Sequence, residues 1–89
     1  MQTIIFSGHK QKIIEFAAET LNFAQQDGGL LLTAEGEMLF QDTPSVENML
    51  NTNAPIHVAI MKGAQTVIDQ PFQVTFFTLE PDNLAVLLQ

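Results

Sequence analysis

The chain has 89 residues, a length that supports one hydrophobic core and no more. Hydrophobic residues make up 46% of it and charged residues 15%, the composition of a folding domain and not of a disordered tail. Ten acids stand against three lysines, Lys10, Lys12 and Lys62, with no arginine, for a net charge of −7. Clustered cations that could displace counterions from phosphates are absent, which argues against direct nucleic-acid binding. The lack of cysteine excludes disulfides, thiolate nucleophiles, Cys-ligated zinc and iron–sulfur clusters.

Thr3 to Phe6 is a short β-branched and aromatic run closed by Ser7-Gly8, the pattern of a first strand. The start of the chain has no basic region followed by a long apolar stretch, and no run reaches the roughly 18 apolar residues of a membrane helix. The expectation is a cytoplasmic protein, or one found in a virion after assembly, with no membrane contact.

From His9 to Gln26 there is neither Pro nor Gly, and Asp27-Gly28-Gly29 follows as a stop, which predicts one long helix. At 100° per residue, Ile13, Ile14, Ala17, Leu21 and Ala24 fall on one stripe. Phe16 and Phe23 widen it to about half the cylinder, more than a helix on a small sheet needs. The two rings either reach around the edge of the core or form a contact ridge.

Leu30 to Thr33 and Met38 to Gln41 flank Ala34-Glu35-Gly36-Glu37, which predicts a hairpin with Gly36 in its turn. Asp42 or Thr43 then caps a short helix with Pro44 at its first position and Val46, Met49 and Leu50 as its apolar face; Asn51 to Pro55 ends it. Ile56, Val58 and Ile60 alternate with His57, Ala59 and Met61 as a strand with one buried face. Lys62-Gly63-Ala64 turns the chain, and Gln65 to Asp69 returns as its partner.

Pro71 opens a last strand, Phe72 to Leu79, with Phe72, Val74 and Phe76 on one side and Gln73, Thr75 and Phe77 on the other. Glu80-Pro81-Asp82-Asn83 leads into Leu84 to Gln89, read as a short apolar helix that must dock on its own subunit or a neighbour. The expected fold is therefore a single α+β domain over 1–89. Its sheet would be small, mixed or antiparallel, of about five to six strands. One long helix packs on a face beside two short helices, in the order β-α-β-β-α-β-β-β-α.

Catalytic equipment is sparse. Ser7-Gly8-His9 places a hydroxyl near an imidazole, but residues so close in one turn rarely present a nucleophile to its base, and no Gly-x-Ser-x-Gly elbow occurs. His9, His57 and Asp69 share no metal-ligand spacing. Gly28-Gly29 follows an element instead of opening a helix, the wrong order for a phosphate cradle. The expectation is a protein without enzymatic activity, cofactor or metal, whose partners are proteins, itself included as a homo-oligomer.

The stretch Val74-Thr75-Phe76-Phe77-Thr78-Leu79-Glu80-Pro81-Asp82-Asn83-Leu84-Ala85-Val86-Leu87-Leu88 resembles one found in tailed-phage tail-tube and related virion proteins. In those, a Val-x-Phe strand leads through an acidic residue into Asn-Leu-Ala and a short apolar helix. The resemblance implies a subunit that self-assembles into rings or stacked tubes. The chain is much shorter than a typical tube subunit, and its predicted long helix lies outside that pattern.

The other reading is a small acidic inhibitor or immunity-type protein that blocks a basic active site on a host or toxin enzyme. Candidate contact residues for the two readings are Phe16, Phe23, Phe77, Leu84, Leu87 and Leu88 among the apolar ones and Glu15, Glu19, Glu35 and Glu37 among the acids.

Overall fold

A computed structural model describes residues 1–8, 11–52 and 54–89, with only the backbone of Leu79. The expected α+β fold is replaced by one antiparallel sheet of seven strands with a single helix. Its elements are β1 (Gln2–Gly8), β2 (Gln11–Gln26), β3 (Gly29–Gln41), α1 (Thr43–Thr52), β4 (Ile56–Lys62), β5 (Gln65–Phe72), β6 (Val74–Leu79) and β7 (Asn83–Leu88). Their order in the sheet is β5-β4-β1-β2-β3-β7-β6.

The sheet curls onto its own inner face. Three strands separate β1 from β6, which in a flat sheet would hold them roughly 19 Å apart. Yet the rings of Phe6 on β1 and Phe77 on β6 meet edge to face with centroids 6.2 Å apart. The two outermost strands, β5 and β6, are joined by Gln73 alone. Gln73 also exchanges a pair of backbone hydrogen bonds with Gln89 at 2.8 Å, which extends the β6–β7 ladder.

Inside the curl lie Ile4, Phe6, Ile14, Phe16, Leu32, Val58, Ile60, Leu84, Val86 and Leu88, all essentially removed from solvent. Among the described residues no polar or charged side chain is buried. Helix α1 closes the inner face between β2 and β6 by burying Val46 and Met49, while Leu50 stays exposed. Asp42 is its cap: its carboxylate accepts from the Ser45 hydroxyl at 2.9 Å and, at 3.5 Å, from the Ser45 backbone N–H. The backbone carbonyl of Asp42 accepts the first helical bond from the Val46 N–H.

The long helix predicted from His9 to Gln26 is strand β2, paired on one side with β1 and on the other with β3. Its broken alternation has a structural cause. Ladder pairing skips Ile13 and Glu19, so each is an extra residue in the strand. Each bulge shifts the period of two by one residue. The inward positions become Ile14, Phe16, Ala18, Leu21 and Phe23, with Ile13 also buried by its bulge; of the predicted helical stripe, Ile14 and Leu21 face inward while Ala17 and Ala24 face outward.

The hairpin predicted around Gly36 is absent, because β3 runs unbroken from Gly29 to Gln41. Gly36 is needed for a different reason: a Cβ there would stand 1.9 Å from the backbone oxygen of Ala17, where bulged β2 presses against β3. The true hairpin turn is Asp27-Gly28, with φ of 51° and 78°. Positive φ at both central residues is the type I′ pattern that suits a two-residue link between twisted strands.

Further corrections concern the C-terminal third. Leu84 to Leu88 is strand β7, not a helix, and pairs with β3 and β6 on its two sides. In β6, Thr75 is bulged out of the ladder, so Val74 does not share a side with Phe76 as expected: Val74 and Phe77 turn into the core and Phe76 turns out. The strand at Ile56–Lys62 and the turn at Gly63 (φ 61°) lie where the sequence placed them, but β5 runs past the expected Asp69 to Phe72, so Pro71 lies inside β5 and does not open the last strand.

Candidate protein-interaction surface

The β2–β3 hairpin is longer than the strands beside it. β1 pairs with β2 only as far as Ala18, opposite Gln2. Beyond that point β2 continues from Glu19 to Gln26 with β3 on one side and no described strand on the other. Alternate residues of this stretch present backbone N–H and C=O groups outward, a row of about 25 Å at strand spacing.

The side chains of this overhang divide by register. Leu21, Phe23 and Gln25 share the inner face with Ala34, Leu32 and Leu30 of β3, which in turn face Leu84, Val86 and Leu88 of β7. Leu32 is fully buried, whereas Phe23, directly opposite it, is 40% exposed because no further strand covers its flank. Thr20, Asn22, Ala24 and Gln26 share the outer face.

That outer face carries an apolar row across four strands. Phe76 of β6, Leu87 of β7, Leu31 of β3 and Ala24 of β2 stand side by side in the ladders. Phe76 and Ala24 at its ends are exposed, Leu31 is half-buried, and Leu87 is buried among its neighbours. A groove of about 250 Å³ between this row and the Asp27 turn is lined by Gln26, Asp27, Leu31, Phe76, Ala85 and Leu87. The next row, Thr78, Ala85, Thr33 and Asn22, has no charge at all.

The candidate contact residues from the sequence fall apart on this frame. Phe16, Leu84, Leu87 and Leu88 are buried within the subunit, and Phe77 packs against its core. The C-terminal segment thus docks internally. Only Phe23 remains exposed among the apolar candidates. Of the acids, Glu15, Glu35 and Glu37 share the outer face, on β2 and β3, and Glu19 occupies the β2 bulge beside them. Lys12 is 2.5 Å from Glu15 and also stands 5.3 Å over the Phe40 ring, so Glu15 is already partnered.

Sequence reasoning missed Leu31, Ala24 and Phe76 as surface residues. The signal that could have found them is Asp27-Gly28 between two long runs, a strong hairpin signature. Once the hairpin is accepted, Leu31 and Ala24 become cross-strand neighbours.

Chemistry is thin on this surface and elsewhere. Nε2 of His57 contacts Oδ1 of Asp69 on the outer side of β4 and β5, and both side chains are largely exposed. His9, the other member of the metal and nucleophile–base combinations considered, lies outside the described residues. Among the described residues no group of three or more His, Cys, Asp or Glu side chains converges, and no helix is long and apolar enough to cross a membrane. Comparison with protein-family models, curated proteins and solved structures gave no match.

Proposed function

We propose that this chain is a non-enzymatic protein-binding subunit that assembles with further copies through the outer face of the β2–β3–β7–β6 sheet. The observation that carries the proposal is the apolar row Phe76–Leu87–Leu31–Ala24, exposed at its two ends, Phe76 and Ala24, and bordered on one side by uncharged Thr and Asn side chains. Apolar side chains aligned across four strands gain free energy by leaving water, and the neutral border costs little to desolvate. A structural subunit of a phage-like particle, as implied by the resemblance of residues 74–88, is one setting for such assembly. The surface argument does not depend on it.

Light scattering on the purified chain tests the proposal. The native chain is expected to exceed monomer mass at about 100 μM, a concentration suited to small interfaces, and Phe76→Glu is expected to lower that mass while leaving the circular dichroism unchanged. A native chain that stays monomeric throughout overturns it.

The grouping of Glu35 and Glu37 with bulged Glu19 along one side of the hairpin supports a second reading, an acidic inhibitor of a basic enzyme. The two readings respond oppositely to ionic strength. Capture of a basic partner weakens steeply with salt, whereas association through the apolar row does not.

A further inference from the structure

We infer that two copies of this chain join by strand pairing along the free edge of β2, around a two-fold axis at Phe23. The inference rests on the assembly reading above and adds the partner, the edge and the register.

Open sheet edges are hazards, and most proteins blunt them with charge, proline, bulges or a covering element. Two edges of this molecule are blunted in that way. On β5, Pro71 has no N–H to donate, Asp69 is charged, and Val67 is bulged out of the β4–β5 ladder. On β6, Thr75 is bulged and α1 packs alongside.

The edge of β2 from Thr20 to Gln26 carries none of these devices. It reads Thr-Leu-Asn-Phe-Ala-Gln-Gln, with no charge, no proline and no glycine, and it is bounded by the Glu19 bulge and the Asp27 turn. A second copy is the partner that fits, because the same unblunted edge is then satisfied on both molecules by one contact.

Register follows from facing. In an antiparallel pair, opposed residues lie on the same face, so a two-fold axis passes through one residue. Centring it on Phe23 pairs the whole neutral stretch and leaves no partner hanging over a turn. Phe23 then stands opposite its own copy, Leu21 opposite Gln25, Asn22 opposite Ala24 and Thr20 opposite Gln26. The half-exposed Phe23 rings cover each other, which accounts for an aromatic ring left at the border of the core. Glu19 and Asp27 come near each other at the two ends, so added salt is expected to strengthen the pairing slightly.

Charge exchange at the axis tests this. Chains carrying Phe23→Lys or Phe23→Glu place like charges directly opposite each other, and each alone is expected to weaken dimerisation by roughly tenfold or more. An equimolar mixture is expected to recover a 1:1 heterodimer in sedimentation equilibrium. A dimer that survives both substitutions, or a mixture that stays monomeric while each variant keeps its native circular dichroism, overturns the pairing.

Should either variant fail to fold, Asn22→Cys and Ala24→Cys provide the second measurement, since the native chain has no cysteine. Mixing them under oxidation is expected to give a cross-linked heterodimer in excess of either homodimer, as opposed strand residues lie within disulfide reach. Equal or absent cross-linking overturns the register. A monomeric native chain defeats assembly altogether. An oligomer indifferent to residue 23 but lost with Phe76→Glu defeats only the strand pairing.

Discussion

Gly36 shows how a single residue can be required without any unusual backbone angle. Its φ is not positive, yet a methyl group there would stand 1.9 Å from the Ala17 carbonyl oxygen and 2.9 Å from its carbon. Backbone atoms cannot step aside as the end of a flexible side chain can. Gly36→Ala is therefore expected to destabilise the fold by about 3 kcal/mol or more, through forced separation of β2 and β3. Urea unfolding measures this, and a loss under about 1 kcal/mol would show that the bulge relaxes freely. Asp42 acts by a hydrogen bond instead of by space. Removing its carboxylate in Asp42→Ala leaves the first turn of α1 without its cap and is expected to cost about 1 kcal/mol in the same assay.

At the level of elements, the sequence is ambiguous where strands are bulged or buried on both sides. The stripe Ile13, Ile14, Ala17, Leu21, Ala24 fits a helix as well as bulged β2 fits a strand. Pairing with both neighbours decides between them, and those neighbours lie elsewhere in the chain. For Leu84–Leu88 the ambiguity is of another kind. A continuous apolar run of that length suits a buried strand or a helix equally, and periodicity cannot separate them. Its position between β3 and β6 makes it an interior strand. Truncation after Glu80 is accordingly expected to abolish folding, not merely assembly, because it leaves β6 unpaired and strips β3 of its partner on one side. A truncated chain with native circular dichroism and a cooperative melt would contradict that assignment.

For the whole molecule, curling of one sheet replaces packing between layers. The Phe6–Phe77 contact spans the curl, joining strands that are far apart in the sheet order. Phe6→Ala is expected to cost about 3 to 5 kcal/mol, a large share of the stability of a domain this size. Thermal unfolding followed by circular dichroism measures it. Curling also determines what remains outside. With β7 inside the sheet and α1 spent on the inner face, nothing in the described chain covers the convex side of β2, β3, β7 and β6. The apolar row and the β2 edge there are the surfaces on which the proposed assembly rests.

What the sequence by itself determined is local. Alternation at Ile56–Ile60, the Gly63 turn and the first strand each depend on neighbours within a few residues and lie where that pattern placed them, and the cap is Asp42, one of the two residues the sequence offered. The absence of cysteine, and with it of disulfides and thiolate chemistry, also required no structure. Tertiary structure decided the secondary structure of β2 and β7, the phase of β6 after its bulge, and therefore which phenylalanine faces water. The reason is physical: a bulge or an interior strand is stabilised by hydrogen bonds to residues distant in sequence, and a one-residue shift in pairing sends the following side chains to the opposite face.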